Sequence, residues 1–473
     1  MNEYWLAAPE IFVASAICLV LLVDVFLRQE QRQLTYLLAM LSLVGAAIIS
    51  RYAIVQQPIV AFSGSFISDP AGGSLKLIAY LVVALVFLYS RNYLEEHDLF
   101  KGEFFILALF GLLGIMVMIS AHSMLTMYLG LELLSLSLYA LVAFNRDSAL
   151  ASESAMKYFV LGAIASGVLL YGISLLYGVT GTIEFSALAS DLVGEKALSL
   201  PAVLGLVFVV VGVAFKFGAV PFHMWMPDVY QGAPTPVALY VGSVPKIAAF
   251  ALSWRVLIEA LGPMGVSWQG MLIVLSVLSL LIGNIVAIAQ TNLKRMLAYS
   301  TISHVGFILM GFIAGSEEGI EAAMFYTMIY VLMAVAAFGM IIVLSRRGFE
   351  AENLEDFKGL NQRSPWFALM MLLIMFSMAG VPPLVGFYAK LSVLSALVSA
   401  DQLWLAIFGV VLAVVGAFYY LRVIWYMYFT DAADQAPLSS ALDLKVVISV
   451  NCLVLLVLGI FPGYLLDLCA RVL

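Results

Sequence analysis

Lys216 and Lys246 stand within VFVVVGVAFKFGAVPFHMW and VALYVGSVPKIAAFALSW, and Lys157 and Lys390 also fall inside apolar stretches. A lysine in hydrocarbon costs about 2.5–3.5 kcal/mol or more, so it survives mainly where it faces a bundle interior, a partner or water. Lysine is also the cation that loses its proton most readily on burial, which lets it exchange a proton near neutral pH. Proton or ion movement is the chemistry these residues point to. Glu132 is the acid well inside an apolar run, MYLGLELLSLSLYALVAF, and Lys216 is its natural partner. Two imidazoles could relay protons: His223 in PFHMWMPDVYQGAPTP and His304 in YSTISHVGF. Pro245 precedes Lys246 and should free the carbonyl of Val241. Lys76 and Arg422 are expected to snorkel to the interface, and Asp24 and Arg28 to form a helix-end pair.

The elements that must position these residues are apolar helices. The chain has 473 residues, 64% of them hydrophobic and 11% charged, far outside the soluble range. Runs of about 20 apolar residues can each span a bilayer. Spans are expected at 5–27, 34–55, 74–91, 104–120, 124–144, 154–178, 201–220, 234–256, 268–290, 296–314, 320–345, 365–398, 403–429 and 444–467. The fold class is therefore an all-α polytopic membrane protein of about 14 transmembrane helices. The twelfth span is too long for one straight crossing, and AGVPPLVGF inside it should break it into two halves. The start, MNEYWLAAPE, is acidic, which predicts a first helix that is retained rather than a cleaved signal.

Loop cations set the expected orientation. Odd-numbered loops hold Arg28, Arg32, Arg91, Lys101, Arg146, Lys294, Arg295, Arg346, Arg347, Lys358, Arg363 and Lys445. Even-numbered loops and the tail hold Arg51, Lys196, Arg255 and Arg471. Both termini are thus expected on the periplasmic or equivalent face. Cys18, Cys452 and Cys469 are isolated, with no iron–sulfur or zinc spacing. No GxGxxG or GxxxxGK[ST] occurs, and no basic tract suggests nucleic acid. Redox and nucleotide chemistry in this chain itself are not expected, so neither is a cofactor or a metal.

A weak internal repeat appears. SAMKYFVLGAIASG from Ser154 resembles AAMFYTMIYVLMAV from Ala322, and FGAVPF from Phe217 echoes MAGVPP from Met378. Five helices separate the copies, so the second would be inverted, a recurring transporter design with its pathway near the midplane.

LGLELLSLSLYAL, AMKYFVLGAIASG, FKFGAVPFHMWMPDVYQGAPTPV, QTNLKRMLAYSTISHVGF and AGVPPLVGFYAKLSVL together resemble the antiporter-like membrane subunits of bacterial NADH:quinone oxidoreductase (complex I). DVYQGAPTPV favours the subunit N group over subunits M and L and the Mrp-type antiporter subunits. The resemblance implies two inverted five-helix repeats with broken helices 7 and 12. It places three N-terminal helices in 1–103, the repeats in 104–256 and 257–429, and a last helix in 430–473. It implies proton translocation through Glu132, Lys157, Lys216, His223, Lys246, His304 and Lys390. It further implies a bacterial inner-membrane location, neighbouring antiporter-like and small membrane subunits as partners, and FMN, iron–sulfur clusters, NADH and quinone in the parent complex rather than here. Overlaying the halves puts Phe325 in the place of Lys157, and Lys390 does not align with Lys216. The alternative is an Mrp-like cation/proton antiporter. A third reading is a scaffold whose buried charges only hold helices together.

Overall fold

The computed structural model describes residues 3–432 and 441–473. Among them, thirteen helices are long and apolar enough to cross a membrane. In chain order the principal helices are α1 (Ala8–Phe26), α2 (Gln33–Ala53), α3 (Pro70–Glu96), α4 (Gly102–Ile119), α5 (Met124–Val142) and α6 (Ala149–Thr180). Next come α7 (Leu200–Phe217), α8 (Trp225–Gly232), α9 (Thr235–Ser253), α10 (Gly265–Ala289), α11 (Leu293–Ala314) and α12 (Glu317–Leu344). Then follow α13 (Pro365–Ala379), α14 (Val385–Ser399), α15 (Leu403–Phe429), α16 (Leu442–Ile460) and α17 (Gly463–Val472). The short α13 and α14 together make the interrupted twelfth span, so the fourteen expected spans are all present. The expected unit 430–473 includes residues 433–440, which lie outside the described residues.

Caps explain where helices outrun the hydropathy pattern. Asp69 accepts from the Gly72 amide at 2.6 Å, and Pro70 takes the first position, so α3 starts four residues before the expected 74. Ser148 caps α6 by accepting from Ala151 N at 3.2 Å, which extends that helix five residues beyond its expected start. One element breaks the all-helical pattern: a hairpin of β1 (Ile59–Ala61) and β2 (Phe66–Ser68), with Val60 opposite Ile67.

Helices α9, α11 and α12 form the buried axis, with almost every residue shielded by neighbours. Helices α1, α2, α6, α15 and α16 turn much of their apolar surface outward, as helices facing lipid must. Close backbone approach recurs at two helix pairs. A Cβ on Gly114 of α4 would stand 2.6 Å from Leu134 N and 2.7 Å from Gly130 O of α5. A Cβ on Gly283 of α10 would stand 2.7 Å from Ser303 N and 2.9 Å from Tyr299 O of α11. All three positions shift by the same spacing, so Glu132 and Ser135 of α5 correspond to Thr301 and His304 of α11.

Four charged residues lie elsewhere than expected. Lys76 does not snorkel; it is buried and paired with Glu10 at 2.5 Å. Arg255, counted as a loop cation, is 1% exposed in a π-helical turn (Trp254–Ala260), where it binds Asp69 and meets Glu259 at 2.5 Å. Arg422 donates to Ile288 O at 2.7 Å and Gln290 O at 2.6 Å, closing the open C-terminus of α10. Asp24 accepts from the Thr35 hydroxyl at 2.5 Å in place of the expected Arg28 pair.

Candidate proton-transfer site

Two helix breaks organise the buried lysines. Helix α7 stops at Phe217 because Gly218 adopts φ +75, and α13 stops at Ala379 because Gly380 adopts φ +85. Only glycine enters that left-handed region cheaply, and each stop leaves terminal carbonyls without an intrahelical donor. At the first break, Lys246 of α9 donates to Phe217 O at 2.8 Å. At the second, Lys390 of α14 donates to Ala379 O at 2.8 Å and Met378 O at 3.0 Å. Phe217 and Ala379 each directly precede the left-handed glycine, so equivalent carbonyls hold a lysine amine in both halves. The lysines arrive from different helices, and Met378 stands where the first half has Lys216. Pro245 lies inside α9 as expected, yet the Lys246 amine turns to Phe217 rather than to the freed Val241 carbonyl.

Lys216 lies in the last turn of α7 and donates to Ser135 Oγ at 3.2 Å. That hydroxyl donates in turn to Leu131 O at 2.7 Å, leaving its lone pairs for the amine. The expected direct ion pair with Glu132 does not form. Glu132 instead accepts from Ser166 of α6, whose hydroxyl is 3.1 Å from that of Tyr128. Ser135, Ser166 and Lys216 line one cavity of about 20 Å³, room for roughly one water. Glu132 therefore reaches Lys216 through two serines and that space. Glu132 remains the carboxylate whose charge acts on Lys216, and the charge of Lys216 acts on Lys246.

Among the described residues, Lys216, Lys246 and Lys390 have no carboxylate oxygen within ion-pair distance; their partners are a hydroxyl, backbone carbonyls and aromatic faces. Trp225 lies 5.8 Å from the Lys246 amine and Phe307 5.5 Å from that of Lys390. Neutral acceptors bind an ammonium without fixing it as one, so each amine can hold or release its third proton.

His304 is buried between two hydroxyls, with Nδ1 2.7 Å from Tyr326 and Nε2 3.0 Å from Tyr420. Tyr420 is 2.5 Å from Ser300 Oγ. One turn away, Thr301 meets the Tyr330 hydroxyl at 2.7 Å, and Tyr330 donates to Gly242 O at 3.3 Å, one turn before Lys246. The charge of Lys390 acts on His304. These contacts form separate groups, one around each break and one around His304.

Lys157 and His223 fall outside this set. The Lys157 side chain is 47% exposed and bridges Glu153 and Asp228, both at 2.9 Å. Its counterpart Phe325 is fully buried, so the two positions differ in environment as well as in charge. His223 is half-buried in the turn after α7 and faces Tyr299 at 6.4 Å between ring centroids. No hydrogen bond joins it to the lysines among the described residues. Sequence reasoning missed Ser135, Ser166, Tyr326, Tyr330 and Tyr420. Ser135 was findable one turn after Glu132, whereas the tyrosines carry no local signal.

Comparison with known proteins gives the family. Residues 121–416 match the profile of the family described as NADH:quinone oxidoreductase/Mrp antiporter, TM. NADH-quinone oxidoreductase subunit N from Thioalkalivibrio sulfidiphilus is 60% identical over 461 residues, covering 97% of this chain and 96% of that one. A chain in the solved structure of respiratory complex I from Thermus thermophilus with bound aureothin superposes with a TM-score of 0.84. It is 31% identical and covers 98% of this chain and 99% of its own. A chain of the Mrp complex from Dietzia sp. DQ12-45-1b shares the fold, with a TM-score of 0.85, 21% identity and coverage of 99% and 96%. The chain belongs to the NADH:quinone oxidoreductase/Mrp antiporter transmembrane family, within its subunit N group.

Proposed function

We propose that this chain is the proton-translocating, antiporter-like membrane subunit of an NADH:quinone oxidoreductase. The carrying observation is the set of three buried lysine amines, two at helix breaks, each held by neutral acceptors. An amine so placed changes protonation without first breaking an ion pair. Neighbouring charges bias it through a medium where Coulomb interactions are strong.

Protons would move along Glu132, Lys216, Lys246, the Tyr330–Thr301 hydroxyl pair, the Tyr326–His304–Tyr420 group one turn on, and Lys390. Glu132 acts as the modulator: moved across the cavity to Lys216 it favours the ammonium, and held at Ser166 on the cavity's other wall it lets the proton pass toward Lys246. The equal spacing of Gly114–Gly283 and of their partners, with the paired left-handed glycines, supports repeats at 104–256 and 257–429 preceded by three helices in 1–103. In that frame Thr301 replaces Glu132, so the second half has no modulating acid at that position. His304 stands where the first half has Ser135.

Electron transfer would occur in other subunits, which would hold FMN, iron–sulfur clusters, NADH and quinone. Those subunits and the neighbouring antiporter-like and small membrane subunits would be the partners, in a bacterial inner membrane with both termini periplasmic. The test is Lys216→Ala in membranes containing the assembled complex. NADH-driven proton pumping should be lost while the complex still assembles. Unchanged pumping per NADH oxidised would remove the assignment, and sodium-dependent exchange without NADH would favour the antiporter alternative.

A further inference from the structure

Helix α8 is an eight-residue segment between the first break and α9, and its fixation is unusual. Asp228 near its middle takes Lys157 of α6 on Oδ2 at 2.9 Å and Arg295 of α11 on Oδ1 at 2.8 Å. Arg295 also donates to Gln231 Oε1 at 3.1 Å, and Ser154 of α6 donates to the Asp228 carbonyl at 2.9 Å. One carboxylate thus ties a two-turn segment to a helix from each half of the bundle. At its other end α8 begins with Trp225, whose indole donates to Phe215 O at 3.1 Å and stacks on Tyr158 at 4.6 Å. Lys246 lies over that same ring.

We propose that Asp228 is a positioning residue for proton transfer: through Lys157 and Arg295 it clamps α8 between α6 and α11 and so holds Trp225 against Lys246. Resting on the function proposed above, this gives Lys157 a mechanical task in place of a relay. An eight-residue helix is too short to hold itself in place, and a carboxylate with two charge-assisted bonds supplies direction as well as energy. Lys157 is exposed because its task is to meet Asp228 at the rim, whereas a relay lysine belongs inside.

The experiment compares conservative and disruptive variants in the assembled complex, with proton pumping per NADH oxidised as readout. Lys157→Arg and Asp228→Glu keep the charges and the clamp, and should pump like wild type. Lys157→Gln removes one partly exposed charge-assisted bond and should lower pumping by about threefold; Asp228→Ala removes two and should lower it by about tenfold. A relay at Lys157 predicts the opposite for Lys157→Arg, because a guanidinium does not give up its proton. Loss in Lys157→Arg equal to that in Lys157→Gln therefore overturns the clamp. So does wild-type pumping in Asp228→Ala when Lys246→Ala in parallel abolishes pumping. If Lys246→Ala pumps normally, it is the proton line that fails.

Discussion

Replacing Gly380 by alanine tests how strictly the second break positions Lys390. Two separable effects follow from the structure. The residue adopts φ +85, and an L side chain in that region costs about 1–2 kcal/mol. The added Cβ would also stand 2.9 Å from Lys390 Cδ and 3.3 Å from its Nζ. The lysine stem cannot swing away freely, because its tip is tied to Met378 O and Ala379 O. Clearing the methyl means surrendering at least one of those bonds, worth about 1.5–3 kcal/mol for a charged donor. The first cost falls on folding; the second falls on the amine and amounts to about tenfold or more in occupancy of its position. Gly181→Ala is the matched control: Gly181 adopts φ +74 at the end of α6, with nothing within 4 Å of an added Cβ. Both variants should lose similar thermal stability in detergent. In inverted vesicles, with acidification measured by a pH-sensitive dye and normalised to NADH oxidation and assembled complex, only Gly380→Ala should lose pumping, by about tenfold. Equal pumping in the two variants would refute the claim that the break acts by placing the Lys390 amine.

Further outcomes follow from other contacts. Ser166→Ala removes the donor that holds Glu132 away from Lys216 and should alter pumping in the same vesicles with assembly intact; an unaltered rate would disconnect Glu132 from the line. Lys76→Ala leaves Glu10 buried without its cation and should destabilise by about 3–5 kcal/mol, seen as poor assembly, whereas Lys76→Met with Glu10→Gln should assemble better than the single variant. Arg422→Ala uncaps the Ile288 and Gln290 carbonyls of α10 and should lower the unfolding temperature with pumping per complex unchanged. Arg422→Lys should recover only part of that loss, because one ammonium cannot reproduce the two-pronged contact.

Much of the architecture was legible along the chain because its causes are local. Apolar run length fixed the fourteen spans, and Pro382, Pro383 and Gly380 marked the broken twelfth helix. The stranding of Lys216, Lys246 and Lys390 in uncharged sequence announced that they would be buried, and they are. Lys76 misled for the opposite reason: its position near a helix start suggested solvent access that the distant Glu10 removes.

What a helix faces was not written in its own sequence. Helices α5, α6, α11 and α12 do not gather their few polar residues on one side, so no polar stripe distinguishes the lipid face from the interior. Lys157 and Lys216 therefore look alike in sequence, while packing turns one outward to Asp228 and the other inward to Ser135. Glu132 stands mid-way along α5, but its partner depended on which α6 residue opposed it, and that residue was Ser166. The sequence by itself determined the helices, their breaks and the presence of titratable groups at membrane depth, since length, proline, glycine and burial cost act residue by residue. Tertiary structure alone decided which hydroxyl, carbonyl or ring meets each amine, because those partners come from segments far apart in the chain and only packing brings them within hydrogen-bonding reach.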